Sequence, residues 1–252
     1  MKRQLGRSLI SLKYRYHSQM NHFKRILRHF IRTLSLPKYS AIINNDVFGA
    51  SNNSDIAEHL STLYNICLAK MPKSVLELGT RGGESTRVLV EYCEKFGASG
   101  RSIDLEPNPN WLSAKKWSHF EGDDIAIGET VLRDKRWPDG IEFNPVDLIF
   151  LDSSHEYLHT LEELMLYWPL IAEGGVLVLH DTNLTEQVTR KLSGEANIGW
   201  NNESGVSRAI QEYFGLEIEW NELTSFNFKT QNVGIRGMVH FPWNNGFTCI
   251  YK

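Results

Sequence analysis

The sequence predicts an α/β fold, with a doubly wound, seven-stranded and mostly parallel sheet behind a basic helical N-terminal extension. Apolar strand-like runs alternate with helix-spaced segments from residue 55 to residue 241, as parallel sheets require. A glycine-rich turn joins the first strand to its helix. Charge is also segregated: residues 1–45 hold ten Lys and Arg and no acid, whereas the rest carries a net −13. We therefore expect an extension over 1–45 and one domain over 46–252.

The first predicted elements follow from the spacing of their apolar residues. Helical spacing predicts a helix over 55–70, and the apolar run that ends at a glycine predicts a strand over 74–79. Helical spacing resumes over 84–96. A short apolar segment predicts a strand over 101–105, and 110–117 is predicted as a short helix.

The middle of the domain repeats the alternation. A strand is expected near 119–120 and a helix over about 125–135. The most apolar run predicts a strand over 146–151, helical spacing predicts a helix over 155–171, and two glycines introduce a strand over 176–179.

One more helix and two strands complete the prediction. The helix follows Gly205, with its apolar residues at helical spacing. The two strands are expected near 216–220 and over 232–241.

Composition limits the classes of function. The chain is 41% hydrophobic with seven Trp, which is enough for a sizeable core. Its three widely spaced cysteines indicate neither a disulfide framework nor a cysteine metal site, and so favour a reducing, cytoplasmic compartment. No apolar run has transmembrane length. The acidity of the main domain argues against a nucleic-acid partner, which would need a basic groove.

The basic extension contains one amphipathic pattern, over residues 23–34. Three interpretations stay open. It is a helix that lies on an acidic membrane surface through residues 1–35, a transit peptide, or a helix that packs on the domain as a lid or a contact in a homo-oligomer. Flotation with anionic vesicles separates the first interpretation from the others.

The segment 75–85 is the most informative part of the chain. A buried strand ends at Gly79, Gly83 completes a tight turn, and Ser85 lies in the first turn of the next helix. Such a turn lets backbone N–H groups approach an anionic ligand. The spacing differs from the G-x-G-x-x-G of dinucleotide enzymes, and Glu77 within the strand suits a ligand that also carries an ammonium group.

Polar residues end the other predicted strands. Asp104 ends the second strand, acids at 121–124 follow the third, Asp152 ends the fourth and His180-Asp181 ends the fifth. In an open parallel sheet, ligands bind at these carboxyl ends. Asp104 is placed to accept hydrogen bonds from ribose hydroxyls, which fits both NAD and S-adenosylmethionine.

Five segments together resemble class I S-adenosylmethionine-dependent methyltransferases, and more narrowly their metal-dependent O-methyltransferase branch. These segments are Glu77-Leu-Gly-Thr-Arg-Gly-Gly, Ser102-Ile-Asp-Leu-Glu-Pro, Phe120-Glu-Gly-Asp-Asp, Asp147-Leu-Ile-Phe-Leu-Asp-Ser-Ser-His155 and Gly174-Gly-Val-Leu-Val-Leu-His-Asp-Thr182. The branch includes catechol, macrolide-sugar and rhamnosyl O-methyltransferases and relatives labelled cephalosporin hydroxylases. The resemblance covers about 72–240 and implies a Rossmann-like methyltransferase fold.

The resemblance also implies how the cofactor is held. The loop at Gly79 would hold the methionine moiety and Glu77 would lie near its ammonium group. Asp104 would bind the ribose, and Asp123 or Asp124 would lie by the adenine. The residues predicted to bind S-adenosylmethionine are Glu77, Gly79, Thr80, Gly83, Ser85, Asp104, Asp123 and Asp124.

Asp152 and Asp181 are the predicted metal ligands. They end consecutive predicted strands, so their carboxylates should project into one crevice, and two carboxylates suit Mg²⁺. The alternative for Asp181 is a helix N-cap. The sugar-methylating relatives carry an acid where this chain has His180, so His180 and Asn183 stay open as further ligands.

His155 is the candidate general base, a role that the matching histidine has in the macrolide-sugar enzymes. Ser153 and Glu156 fit a capping box, which predicts that His155 lies in the first turn of a helix. The helix dipole would then keep the pKa of His155 at or below its ordinary value.

The predicted reaction is methyl transfer from S-adenosylmethionine to a hydroxyl of a sugar, glycan or small molecule. The polar segment 184–204 is the expected substrate lid, and the tryptophans offer aromatic faces to an acceptor. The alternatives are a nicotinamide-dependent oxidoreductase and a non-catalytic protein that binds S-adenosylmethionine.

Overall fold

The computed structural model describes residues 56–184, 205–226 and 234–252. The predicted extension over 1–45, its boundary with the domain, and the predicted lid beyond Leu184 lie outside these residues. None of the described helices is both long and apolar enough to cross a membrane.

Strands and helices alternate along the described chain. The helices are α1 (Leu60–Lys70), α2 (Glu84–Phe96), α3 (Asp124–Asp134), α4 (Tyr157–Tyr167) and α5 (Gly205–Phe214). The strands are β1 (Ser74–Leu78), β2 (Ser99–Asp104), β3 (Trp117–Glu121), β4 (Val146–Leu151), β5 (Ile171–His180), β6 (Thr224–Phe226), β7 (Gly237–Phe241) and β8 (Phe247–Tyr251). Two 3₁₀ turns, Ala57–His59 and Trp168–Leu170, adjoin α1 and α4.

The strands form one eight-stranded sheet in the order β3-β2-β1-β4-β5-β8-β7-β6. Strands β1 to β5 pair in parallel, and β8, β7 and the short β6 continue the sheet through antiparallel pairs. The strand order reverses between β1 and β4, which is where ligands bind in open α/β sheets. The predicted Rossmann-like, mostly parallel fold is confirmed.

Successive residues of β1 face opposite sides of the sheet, because side chains alternate along a strand. Leu76 and Leu78 belong to the main hydrophobic cluster, together with residues of α4 and α5. On the other side, Glu77 contacts the start of α2 through its carboxylate. The sheet is thus covered on both faces, and its β1 residues are nearly all buried.

The structure corrects three predicted elements. The segment 110–117 forms turns before β3 begins at Trp117, and 216–220 is not a strand, although Leu216, Ile218 and Trp220 pack against the core. The described sheet has eight strands and not the predicted seven, because neither β6 nor β8, which lies between β5 and β7, is expected from the sequence. The strand predicted over 232–241 corresponds to β7 alone.

Candidate active site

The glycine turn after β1 packs directly against the end of β4. Gly79 has a φ of +87°, and a Cβ there would lie 2.2 Å from the carbonyl oxygen of Asp152. Gly83, with a φ of +79°, is the N-cap of α2, and its Cβ would lie 2.4 Å from the ring of Trp111. Both positions therefore require glycine, because an L side chain would be strained and would collide.

Glu77 ties β1 to the first turn of α2. Its carboxylate is fully buried and accepts hydrogen bonds from the hydroxyls of Ser85 and Thr86, each at 2.7 Å. Burial raises the pKa of Glu77 to about 8, against the lowering effect of the two hydroxyls. In this structure Glu77 and Ser85, both predicted to bind the cofactor, bond to each other.

Asp104 fastens the glycine turn from the neighbouring strand. One carboxylate oxygen accepts the backbone N–H groups of Thr80 and Arg81, the latter at 2.8 Å, and the other accepts the N–H of Glu106 at 2.8 Å. A carboxylate has about four acceptor sites, so Asp104 retains capacity for a ribose hydroxyl.

The start of α2 has the properties of an anion site. The N-cap of α2 is Gly83, which makes no side-chain hydrogen bond to the N–H groups of this helix end. The Thr80 hydroxyl next to it is buried and has no hydrogen-bond partner among the described residues. A bound methionine carboxylate would meet both, so the residues fit the cofactor that the sequence predicts.

Trp111 is a neighbour of this turn that sequence reasoning did not single out from the other tryptophans. Its ring stacks on Arg87, with 3.9 Å between the guanidinium carbon and the ring centroid, and its indole N–H donates to Gly82 O at 3.3 Å. The glycine at position 83 leaves room for a neighbouring ring, and it is the one sign of this contact in the sequence. Nothing in the sequence shows that the ring belongs to Trp111.

Asp123 and Asp124, predicted to lie by the adenine, take different places. Asp123 is the N-cap of α3, and its carboxylate accepts the N–H of Ala126 at 2.9 Å. Asp124 is buried, and its carboxylate lies 3.1 Å from Nε2 of His159. The proposed contact of either residue with adenine stays a prediction.

Asp124 belongs to a second group of polar side chains, with His159 and Glu163 of α4. Glu163 is fully buried and accepts a hydrogen bond from the Ser153 hydroxyl at 2.6 Å. Burial, followed by the charge of Asp124, raises the pKa of Glu163 well above its ordinary value. Burial thus favours the neutral form of Glu163, which links α4 to the loop after β4.

Two carboxylates and two imidazoles meet at the ends of β4 and β5. Nε2 of His155 lies 2.9 Å from Oδ1 of Asp152 and 3.1 Å from Oδ2 of Asp181. Nδ1 of His180 lies 3.3 Å and 3.4 Å from the same two oxygens. The structure thus brings together the predicted base and both predicted metal ligands, and it adds His180.

The backbone around His155 differs from the prediction. Helix α4 begins at Tyr157 after an N-cap at Glu156, so Ser153 does not cap it and the capping-box interpretation is wrong. His155 lies before the helix in the left-handed region, with a φ of +62°, and Asp181 has a φ of +54°. Non-glycine residues in this region are strained, and such strain clusters at functional sites.

The pKa prediction for His155 is also wrong. Burial alone would lower the pKa of His155, but Asp181 and Asp152 raise it. The same two acids raise the pKa of His180 well above its ordinary value, against the effect of burial. Burial alone would raise the pKa of Asp152, but His180 and His155 hold it well below its usual range.

The donor set fits a divalent cation. Oxygens of Asp152 and Asp181 face the same two imidazoles, and Oδ1 of Asp181 is buried without a hydrogen-bond partner among the described residues. Asn183 is engaged elsewhere, because its side-chain N–H donates to Pro242 O at 2.9 Å. Of the two residues that the sequence left open as ligands, His180 faces the carboxylates.

Comparison with known proteins places these residues in context. Residues 76–182 match the family model of a methyltransferase domain. The matched segment contains the glycine turn, Asp104, the acids that follow β3, and the Asp152–Asp181 pair. No curated protein sequence matches the chain.

Solved structures share the fold. A candidate O-methyltransferase from Klebsiella pneumoniae is 16% identical with a TM-score of 0.53, and the alignment covers 89% of this chain and 94% of that one. TomG from Streptomyces achromogenes, an O-methyltransferase bound to SAM, is 16% identical with a TM-score of 0.52, covering 86% and 90%. MycE, a methyltransferase in complex with Mg, SAH and mycinamycin VI, is 15% identical with a TM-score of 0.52, covering 82% of this chain and 51% of MycE.

Proposed function

We propose that this chain is an S-adenosylmethionine-dependent O-methyltransferase of the metal-dependent branch. The observation that carries the proposal is the contact between Gly79 and Asp152, where a Cβ would lie 2.2 Å from the Asp152 carbonyl. It joins the turn that suits the cofactor to the loop that carries Asp152. Methyl donor and acceptor would then meet in one cleft, as in-line transfer requires.

The cofactor half of the site consists of β1, β2 and the start of α2. Backbone N–H groups at the start of α2 and the Thr80 hydroxyl would bind the methionine carboxylate. Asp104, which already orients the turn, would accept from the ribose hydroxyls. Glu77 holds the helix start in place and would gain its charge when an ammonium group approaches, because a nearby cation lowers a carboxyl pKa.

The acceptor half consists of Asp152, His155 and Asp181. Asp152 and Asp181 would hold a divalent cation, which supplies positive charge that lowers the pKa of an acceptor hydroxyl. Nε2 of His155 faces both carboxylates, where it would take the hydroxyl proton. The acceptor oxygen then bonds to the methyl carbon while the carbon–sulfur bond breaks, giving a methyl ether and S-adenosylhomocysteine.

We further propose that the acceptor is a hydroxyl of a sugar, a glycan or a glycosylated small molecule. The resemblance to sugar-methylating enzymes supports this class, and MycE, which shares the fold, is seen with mycinamycin VI. The acidic main domain, with 30 Asp and Glu in the chain, disfavours a polyanionic acceptor.

The test combines binding and turnover. Calorimetry should show binding of S-adenosylhomocysteine and none of NADH. With labelled S-adenosylmethionine and a panel of hydroxyl acceptors, Asp152→Ala should lose metal-stimulated transfer at least 100-fold and keep its affinity for S-adenosylhomocysteine within about threefold. Asp134→Ala, an exposed acid on α3, is the control and should match the wild type. Full activity of Asp152→Ala, or of the wild type in excess EDTA, would rule out metal-assisted transfer.

A further inference from the structure

Two imidazoles, those of His155 and His180, face the carboxylates that would hold the proposed cation, and either could offer a third ligand atom. His180 is the more firmly held of the two. It ends β5, is 1% exposed, and packs with its ring edge against the ring of His59 at 5.4 Å between centroids. Nδ1 lies 3.3 Å from Asp152 and 3.4 Å from Asp181. The side chain is thus held on its buried side and faces the two carboxylates with a nitrogen.

The distances suit a coordination sphere better than a hydrogen-bonded pair. Nδ1 of His180 makes a hydrogen bond of good geometry to neither carboxylate, although it is close to both. Metal–ligand bonds of about 2.1 Å place neighbouring ligand atoms roughly 3.0–3.4 Å apart, depending on octahedral or tetrahedral geometry. Both His180 distances fall in that range, and so does the 3.1 Å between Nε2 of His155 and Asp181. The place of each imidazole in the fold therefore distinguishes them.

Building on the proposed function, we propose that His180 is the third protein ligand, through Nδ1, beside Asp152 and Asp181. The site then offers one imidazole nitrogen and two carboxylate oxygens and leaves further positions for the acceptor. Mg²⁺ prefers oxygen ligands, whereas imidazole favours ions such as Zn²⁺, Co²⁺ and Fe²⁺. The site therefore takes a divalent transition-metal ion in preference to Mg²⁺, in contrast to the expectation from the sequence.

His155 is distinguished from His180 by its place. It lies on a loop at the left-handed φ of +62°, whereas His180 belongs to the sheet. A base must be free to take a proton, and a ligand must be fixed. His180, which is fixed in the sheet, would therefore bind the metal, and His155, on the loop, would serve the acceptor.

Direct binding to the full-length protein, stripped of metal with a chelator, tests the assignment without any measurement of turnover. Calorimetry should show that Zn²⁺ and Co²⁺ bind at least tenfold more tightly than Mg²⁺. His180→Asp, which restores an oxygen donor, should weaken Co²⁺ binding at least tenfold and strengthen Mg²⁺ binding. His159→Gln is the matched control, since it removes the imidazole of the second polar group and should leave both affinities unchanged.

If His180→Asp fails to fold, its weaker metal binding says nothing about His180. A second measurement therefore uses the wild-type protein. Pulsed electron paramagnetic resonance of Mn²⁺ added to the wild type should show ¹⁴N coupling from a directly bound imidazole, and His155→Gln should retain it. Preference for Mg²⁺ in the wild type, or absence of ¹⁴N coupling, would overturn the assignment. Loss of the coupling in His155→Gln, or loss of Co²⁺ binding in His159→Gln, would also overturn it. Binding of S-adenosylhomocysteine in EDTA tests the proposed function separately.

Discussion

Glu77 is a residue whose chemistry depends on its burial. A carboxylate alone in the sheet would be costly, and two hydroxyls, from Ser85 and Thr86, only partly offset that cost. Its pKa of about 8 means that most of the population is neutral at pH 7 in the free protein. An approaching ammonium group would therefore itself induce the counter-charge on Glu77.

This state of Glu77 predicts a pH dependence of stability. Because the folded pKa lies above the ordinary value of 4.5, the folded state binds the extra proton and is destabilised as pH rises from about 5 to 8. Glu77→Gln should remove up to about 1.4 kcal/mol per pH unit of that decline. Urea unfolding of both proteins between pH 5 and 8 measures the difference, and parallel curves would show that Glu77 does not titrate in this window.

Gly79 is the second residue with a direct prediction. Gly79→Ala should lower the free energy of unfolding by at least about 2 kcal/mol, since it combines a positive φ with a collision against Asp152. It should also weaken binding of S-adenosylhomocysteine at least tenfold, because the turn must move.

Gly140→Ala is the matched control for Gly79→Ala. Gly140 has a φ of +79° and open space around its Cβ position, so its cost should be only about 1 kcal/mol, with unchanged ligand affinity. Urea unfolding and calorimetry measure the losses of stability and of ligand affinity. Equal losses in the two variants would show that the contact with Asp152 adds nothing to the cost of a positive φ.

At the scale of elements, α4 is connected to the site through Glu163. The helix packs on α3 and α5, and Glu163 reaches from it to the Ser153 hydroxyl, one residue after Asp152. Because burial raises the pKa of Glu163, we expect it to act as a hydrogen-bonding group and not as a charge. This distinction can be tested.

Glu163→Gln should change the free energy of unfolding at pH 7 by less than about 1 kcal/mol, because burial favours the neutral acid, which an amide resembles in shape. Glu163→Ala should cost roughly 2–4 kcal/mol, since it leaves a cavity and unpaired buried groups. Urea unfolding of both variants measures this. A large loss in Glu163→Gln would instead indicate that the carboxylate is charged in the folded protein.

Strand–helix units up to β5 could be predicted because each parallel strand is buried on both faces. The run 146–151 is almost wholly apolar, and β4 has the same bounds. The segment 216–220 was misleading because Leu216, Ile218 and Trp220 alternate like a strand yet pack on the core without strand partners. β8 was missed, since its antiparallel pairing with β5 and β7 is a property of distant residues.

For the site, the order of residues along the chain predicted which side chains meet but not their conformation. Asp152 and Asp181 were expected in one crevice, since neighbouring parallel strands end at the same edge. The left-handed backbone of His155 could not be foreseen, because Ser153 and Glu156 fit a cap that the chain does not form. The contact of Trp111 with Gly83 depends on a loop whose path has no local signal.

In the whole molecule, the topology of the sheet brings the proposed donor and cation sites together. The reversal of strand order between β1 and β4 brings the turn after β1, the end of β2 and the ends of β4 and β5 to a common edge. The first two would hold the methyl donor, and the last two would hold the cation and the base. Methyl transfer requires both halves to face the same cleft.

A crystal structure grown with S-adenosylhomocysteine and Co²⁺ tests this claim most directly. We predict density for the ligand at the glycine turn, with its carboxylate at the start of α2. A single anomalous peak should lie in the same cleft, bonded to Asp152 and Asp181. A peak at Asp124, His159 and Glu163 instead, or a ligand bound away from Gly79, would contradict the account.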